Sequence, residues 1–226
     1  MAASYDKFVK TISQFSGAVY IHAKNSWNGI DLTKDEPDII KNYLLSKNVG
    51  IDYLNKNLSP ILSQSSYEVK FASVFVHKKP TVVRTAASIA LCTGTRPSCE
   101  LGDLLIVFCF LDANKKPIHC TALLSQAKKD SLLDNRSQQC LYESDVDFDM
   151  PATIYNFSEI KTPNRILPSY GHGRTNGLIY SIINPAPHSH YVPWNTDIVY
   201  DWGLTLERIL IGDLGLKFGG PVVSPD

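Results

Sequence analysis

Three polar side chains at the ends of two apolar segments could perform chemistry: Asp103, Gln126 and Lys128. The segments Leu104–Leu111 and 117–125 are largely apolar, and Asp, Asn and Pro residues lie between them. This pattern predicts two antiparallel strands joined by a short loop. A turn near residues 114–116 places the carboxylate roughly opposite the amide and the ammonium group, at a cross-strand distance of about 5 Å. We therefore expect the three side chains at one end of a hairpin.

The two side chains of the second strand share one face of it. Gln126 and Lys128 are two residues apart, and side chains alternate between the faces of a strand. Burial of such groups among hydrophobic strands costs free energy, which favours a functional role for them. The alternative is that Asp103 and Lys128 form a structural ion pair.

These residues also carry a family resemblance. Gly102-Asp103, the predicted hairpin and Gln126-Ala127-Lys128 resemble the D…QxK variant of the PD-(D/E)XK nucleases, which have the restriction-endonuclease-like fold. The resemblance implies an α/β domain with a mixed central sheet flanked by helices. It also implies that Asp103, Gln126 and the Ala127 carbonyl bind Mg²⁺ or Mn²⁺, while Lys128 orients or activates the attacking water.

The amide is where this sequence departs from the family pattern, in which an acid is commoner. The oxygen of Gln126 suits a hard cation, but the site then has one negative charge fewer. The family often adds a glutamate from the preceding helix. Residues 65–68 predict the start of a helix that continues through Val69–Val76, which places Glu68 in its first turn. There Glu68 is expected to be a catalytic and metal-binding residue. The alternative is that it is only a charge that suits the helix dipole. Glu100 is the alternative metal ligand.

Phosphodiester hydrolysis is compatible with this set of groups. A metal ion lowers the pKa of bound water and acts as a Lewis acid, and a lysine stabilises the charge that develops on the phosphate. We therefore expect a magnesium-dependent nuclease, with DNA as its substrate. The resemblance implies a biological role in a prokaryote or a mobile element, in restriction, antiviral defence or repair. A second copy of the chain or a protein of a defence system is a further expected partner.

Two other functions remain open at this point. The first is a catalytically degenerate member of the fold that binds nucleic acid or a partner protein without hydrolysis. The second is an unrelated α/β domain in which Asp103 and Lys128 form only an ion pair. The replacement of an acid by Gln126, the zero net charge and the absence of an obvious basic stripe favour the first of these alternatives over the second.

Composition predicts an ordered globular chain. Of its 226 residues, 44% are hydrophobic and 19% are charged, with 22 Lys+Arg against 22 Asp+Glu. The zero net charge argues against a general nucleic-acid coat protein, so a DNA contact would need a local basic patch. The longest apolar run is too short to span a bilayer, and the N-terminus lacks a signal-peptide core. We expect a cytoplasmic protein without membrane contact.

The pattern along the chain indicates a single domain, 1–226, with an N-terminal helical region and a C-terminal helix. Helices are predicted at about 35–46, at 52–62 and at 197–211. The five cysteines include no CxxC pair, so we expect free thiols rather than a zinc site. Cys109 and Cys120, within the two strands, are expected to be buried.

Overall fold

The computed structural model of the chain describes residues 2–64, 67–75, 81–92, 94–129, 135–144, 147–149, 165–166, 177–184, 186–191 and 199–218. The helices are α1 (Ala2–Ser13), α2 (Ser16–Asn25), α3 (Glu36–Leu45), α4 (Gly50–Asn57), α5 (Ser59–Ser63), α6 (Ala86–Leu91), α7 (Arg136–Glu143) and α8 (Trp202–Leu210). The strands are β1 (Thr81–Arg84), β2 (Ser98–Glu100), β3 (Leu104–Leu111), β4 (Pro117–Lys128), β5 (Asp147–Asp149), β6 (Arg165–Ile166), β7 (Leu178–Ile182), β8 (His188–Tyr191), β9 (Val199–Asp201) and β10 (Leu216–Phe218).

The N-terminal region is helical, as the sequence predicts. α3 carries Pro37 in its first turn, where a proline is tolerated because the N–H that it lacks would have no acceptor within the helix. α4 and α5 occupy the second predicted stretch, 52–62. α3 packs against α4 and buries three side chains at helical spacing: Ile39, Ile40 and Tyr43.

Strand β4 is the centre of the larger sheet. β3 runs antiparallel along one edge of it, from Leu104 opposite Ser125 to Leu111 opposite Pro117. The other edge of β4 pairs with two strands: β10 runs antiparallel to it along residues 120–122, and β7 runs parallel to it along residues 124–128. Both strands lie on this edge because β3 already occupies the first edge. β8 and β9 extend the sheet beyond β7. The predicted hairpin and its register are confirmed, and so is a mixed α/β fold; the restriction-endonuclease-like architecture stays a prediction.

The larger sheet is covered on both faces. One face packs through Leu123 and Ile179 against α8, and the N-terminal helices cover the neighbouring part of that face. The other face packs through Leu178 and Tyr180 against α7 and a smaller antiparallel sheet with the order β2-β1-β5-β6. The hairpin therefore ends between two apolar clusters.

The helix predicted from Ser65 through Val76 is wrong. Residues 67–75 are not helical, and their side chains alternate between partly buried and exposed. Asn55 fixes this extended segment, because its side chain bonds both the N–H (2.9 Å) and the carbonyl (2.7 Å) of Phe71. The period-two alternation of Tyr67, Val69 and Phe71 with polar residues, which is typical of extended chain, outweighed the helix-start signal.

The C-terminal helix is shorter than predicted. α8 begins at Trp202, after Asp201, whose side chain accepts a hydrogen bond from the Leu204 N–H. Val199, expected in the helix, belongs to β9. Gly203 lies inside the helix because α2 approaches it closely: a Cβ there would lie 2.7 Å from the carbonyl oxygen of Tyr20.

The cysteines differ from expectation. Cys92 and Cys140 form a disulfide that joins the end of α6 to α7, so the expectation of free thiols throughout is wrong. The two positions are 48 residues apart in sequence, and no local motif connects them. Cys120 is buried as expected, whereas Cys109 is exposed. No helix in the described part of the chain is long and apolar enough to cross a bilayer; the cytoplasmic location stays a prediction.

We expect Gly203→Ala to destabilise the fold by about 1–3 kcal/mol, because the added methyl group collides with the backbone of α2. This loss exceeds the contribution of about 1 kcal/mol from the higher helix propensity of alanine. Gly17→Ala, in α2, is the matched control, since nothing lies within 4 Å of a Cβ at that position. Urea unfolding should show the control to be neutral or stabilising. Equal stability of the two variants would contradict the close approach of the helices.

Candidate functional site

Asp103 lies where β3 begins, and its side chain bonds the partner strand. Its N–H donates to the Ser125 carbonyl at 2.9 Å. Its Oδ2 accepts the Ala127 N–H at 2.8 Å and a second hydrogen bond from the side-chain amide of Gln126. The carboxylate therefore takes the place of a backbone acceptor at the point where β3 stops covering β4. The structure thus brings Asp103 and Gln126 together, as the register predicted.

Lys128 lies on the same face of β4 as Gln126. Its Nζ donates to the Oε1 of Gln138 in α7 at 2.9 Å. Within the described residues, Lys128 forms no ion pair with Asp103. Its positive charge is nevertheless near enough to lower the pKa of that carboxyl. The alternative of a direct structural ion pair between these two residues is therefore wrong.

Burial raises the pKa of the Asp103 carboxyl to about 6. The positive charge of Lys128 and the N–H of Ala127 act in the opposite direction, and the negative charge of Glu100 adds to the rise. Desolvation of a carboxylate next to a second acid is common where a protein holds a catalytic acid or a metal.

The oxygen of the Gln126 side chain has no partner. Gln126 is fully buried, its amide nitrogen donates to Asp103, and its Oε1 makes no hydrogen bond. An unsatisfied buried carbonyl costs free energy unless a ligand or a water satisfies it. The Ala127 N–H points to the edge where Asp103 lies, and the N–H and the carbonyl of a strand residue share an edge. The Ala127 carbonyl therefore faces that edge as well.

The two candidate acids lie in different places. Glu100, at the end of β2, is near enough for its charge to affect Asp103. Glu68 is exposed and pairs with Lys70 at 2.6 Å, and its pKa is lowered by that lysine and, more weakly, by the charge of Lys115. The hairpin turn that holds Lys115 is at the opposite end from Asp103. The structure therefore does not bring Glu68 to the cluster, and of the two acids only Glu100 affects the pKa of the Asp103 carboxyl.

The helix that positions Lys128, α7, is not among the helices predicted from the sequence. α7 begins after Asn135, whose side chain accepts the Gln138 N–H at 3.2 Å. Asn followed three residues later by Gln is a helix-start signal that could have identified this turn. Ser137 in the same turn accepts the Arg96 N–H at 2.7 Å and so fixes the segment before β2 to α7.

A cavity of about 500 Å³ lies between β2, the end of β4 and the first turn of α7. Its lining includes three cations and two acids: Arg96, Lys128, Arg136, Glu36 and Glu100. Neither arginine side chain has a hydrogen bond or an ion pair within the described parts of the chain. A volume of this size is typical of small-ligand sites.

The donor set is compatible with a divalent cation. Asp103 and Glu100 supply carboxylates, and the unpartnered Oε1 of Gln126 and the carbonyl of Ala127 supply neutral oxygens, which are the ligands that Mg²⁺ prefers. Within the described residues no group of three or more His, Cys, Asp or Glu could hold a metal, so the amide and carbonyl oxygens would be essential.

Comparisons of this chain with protein-family models, with curated proteins and with solved structures yield no match. The resemblance to the PD-(D/E)XK nucleases stands on Gly102-Asp103 and Gln126-Ala127-Lys128 and stays a prediction.

We expect Asp103→Asn to stabilise the protein at neutral pH. Because the pKa of Asp103 is raised to about 6, the folded state binds this proton more tightly than the unfolded state, so ionised Asp103 lowers stability above pH 6. Asparagine keeps one oxygen for the donors of Gln126 and Ala127, which bond the same Oδ2. The variant should exceed wild type by at most about 3 kcal/mol at pH 7.5. The difference should vanish as the pH falls through 6 toward 4.

Urea unfolding between pH 4 and 8 measures this difference directly. Asp6→Asn makes the same substitution at an exposed position of α1 and is the control. Parallel stability curves for wild type and Asp103→Asn would show that the Asp103 carboxyl is not desolvated.

Proposed function

We propose that this protein is a metal-dependent nuclease with Asp103, Gln126 and Lys128 at its site and Glu100 as the second acid. The observation that carries this proposal is the contact between Asp103 and Gln126 at the end of the hairpin, which leaves a buried amide oxygen without a partner. DNA as the substrate, and restriction or antiviral defence as the setting, rest on the resemblance alone.

The metal would be held by Asp103, Glu100, the Oε1 of Gln126 and the Ala127 carbonyl. When bound, a divalent cation supplies Lewis acidity and lowers the pKa of a coordinated water. The chain contributes the orientation of these oxygens: the Ala127 N–H and the Gln126 amide fix one carboxylate oxygen of Asp103, so its rotamer is set before any ligand arrives.

Lys128 is suited to stabilising charge on a phosphate. Its ammonium group is held by the neutral amide oxygen of Gln138, and an anionic oxygen is a stronger acceptor for it. A substrate phosphate could therefore replace Gln138 as its partner. In the transition state the same ammonium would stabilise the growing negative charge, and this interaction would lower the barrier rather than only improve binding.

A second candidate is a module that binds nucleic acid without cutting it. The hydrogen bonds favour it in one respect: Asp103 already serves as an acceptor at the end of the strand, which is a structural role that needs no metal. In addition, Gln126 gives the site one charge fewer than an acid would. Both candidates use the same groups and differ only in metal-dependent turnover.

Cleavage assays separate the two candidates. We expect wild type to cut single- or double-stranded DNA with Mg²⁺ or Mn²⁺. Lys128→Ala and Asp103→Asn should each lower the rate by at least about 100-fold. The melting temperature of Asp103→Asn should be at or above that of wild type, and that of Lys128→Ala should be close to it. Glu68→Gln is the control, because Glu68 lies away from the cluster of Asp103, Gln126 and Lys128, and this variant should keep full activity.

Gel-shift assays on the same variants complete this test. Binding without cleavage under every metal would favour the non-hydrolytic module. Loss of activity in Glu68→Gln, with Lys128→Ala unaffected, would contradict the assignment of the site.

Substitutions of Gln126 test the metal site itself. Gln126→Glu places a second charge beside Asp103, so we expect lower stability without metal and a larger gain in melting temperature with Mg²⁺ than in wild type. Gln126→Ala removes the amide oxygen and should reduce the gain. Thermal unfolding with and without MgCl₂ measures both effects, because a ligand that binds only the folded state raises the melting temperature. An identical gain in all three proteins would show that Gln126 is not a ligand.

A further inference from the structure

We infer that the cavity beside Lys128 binds a phosphomonoester of nucleotide size, so that the site takes the phosphorylated end of a single strand. The inference rests on the proposed function for the statement that the phosphate belongs to a nucleic acid. The binding of the phosphomonoester itself follows from the cavity and does not depend on hydrolysis.

The arginines of the cavity are the main evidence. Arg96 and Arg136 both line it, and neither guanidinium has a partner in the described residues. Lys128 brings a third positive charge to the same cavity. Like charges that line one cavity repel each other, and a phosphate group that carries about −1.5 to −2 charges would relieve this repulsion. Guanidinium groups also match the oxygens of a phosphate in bidentate geometry.

The backbone around the cavity is held in place. The hydrogen bond from the Arg96 N–H to Ser137 fixes the segment before β2 against the first turn of α7. The hydrogen bond from Lys128 to Gln138 fixes the end of β4 against the same turn. The cations therefore project from three elements that are tied to one another, which favours a preformed site.

Glu36 and Glu100 limit the charge of the cavity. With three cations and two acids along its wall, the lining carries a net charge of about +1. This small positive charge favours a single phosphate group over the tract of phosphates along a duplex, whose binding requires many cations. Glu100 also connects the cavity to the candidate metal site, because its charge reaches Asp103.

The volume of about 500 Å³ points to a single nucleotide. Cavities of this size enclose one small ligand, whereas an internal segment of a duplex would have to be bound on the surrounding surface. The chain has no net charge overall to support such binding. A strand end that presents one terminal phosphate satisfies both the volume and the charge.

Binding measurements without divalent metal test the cavity alone. Calorimetry on the full chain in EDTA uses adenosine 5′-monophosphate, inorganic phosphate and adenosine. We expect the monophosphate to bind and adenosine not to bind. Arg96→Gln and Arg136→Gln should each weaken binding of the monophosphate about 10- to 100-fold, the range for loss of a charge-assisted hydrogen bond. Lys10→Gln, which removes a charge from an exposed position of α1, should leave binding unchanged.

The source of the phosphate is tested with oligonucleotides. Single strands with a 5′-phosphate, a 3′-phosphate or hydroxyl ends are compared with the free monophosphate in the same buffer. A strand with one phosphorylated end should bind at least about 10-fold more tightly than the hydroxyl strand, and this preference should vanish in Arg96→Gln and Arg136→Gln. Binding of the free monophosphate but equal binding of all strands would overturn the strand end as the ligand.

The outcomes separate this inference from the proposed nuclease. Arginine-dependent binding of the monophosphate by a chain that never cuts with any metal would support the phosphate site and remove the nuclease. Metal-dependent cleavage with no binding of the monophosphate, or with binding unaffected in both arginine variants, would overturn the phosphate site and leave the nuclease intact. Both arginine variants lie at exposed positions, and unchanged melting temperatures would show that they are folded.

Discussion

The hydrogen bonds that the Asp103 carboxylate accepts from the far strand of the hairpin are the interaction on which the site depends. β4 is longer than β3, so its last residues extend beyond the pairing and leave backbone groups without a strand partner. Asp103 satisfies one of them through the Ala127 N–H and holds Gln126 with the same oxygen. One side chain therefore satisfies a backbone group at the end of a strand and is also the carboxylate of the proposed site.

This arrangement has a cost that the surrounding elements limit. A carboxylate among apolar clusters is desolvated, as the raised pKa of Asp103 shows. Lys128 offsets part of the cost through its charge without contacting the carboxylate, because Gln138 holds its ammonium group at the start of α7. The disulfide between Cys92 and Cys140 ties that helix to α6. The position of the lysine thus depends on contacts well outside the hairpin.

The hairpin was predictable because it is local. The turn residues and the two apolar runs determine the register, and the contact between Asp103 and Gln126 follows from it. The prediction for Glu68 is wrong, because residues 67–75 are not helical and their side chains alternate in burial, as is typical of extended chain. The arginines of the cavity were missed for another reason: Arg96 and Arg136 meet only through tertiary packing, and no spacing in the sequence indicates such a contact.

The parallel pairing of β4 with β7 also affects how the chain reaches its native state. The hairpin can close within microseconds, because its strands are separated only by a short turn. Ser125 and Ile179, by contrast, pair across more than fifty intervening residues, so their pairing carries a larger loop-closure cost and is expected later in folding. Until β7 arrives, the edge of β4 opposite β3 is unpaired at residues 124–128. Slow synthesis or low temperature during expression should therefore favour recovery of native protein over aggregation of this intermediate.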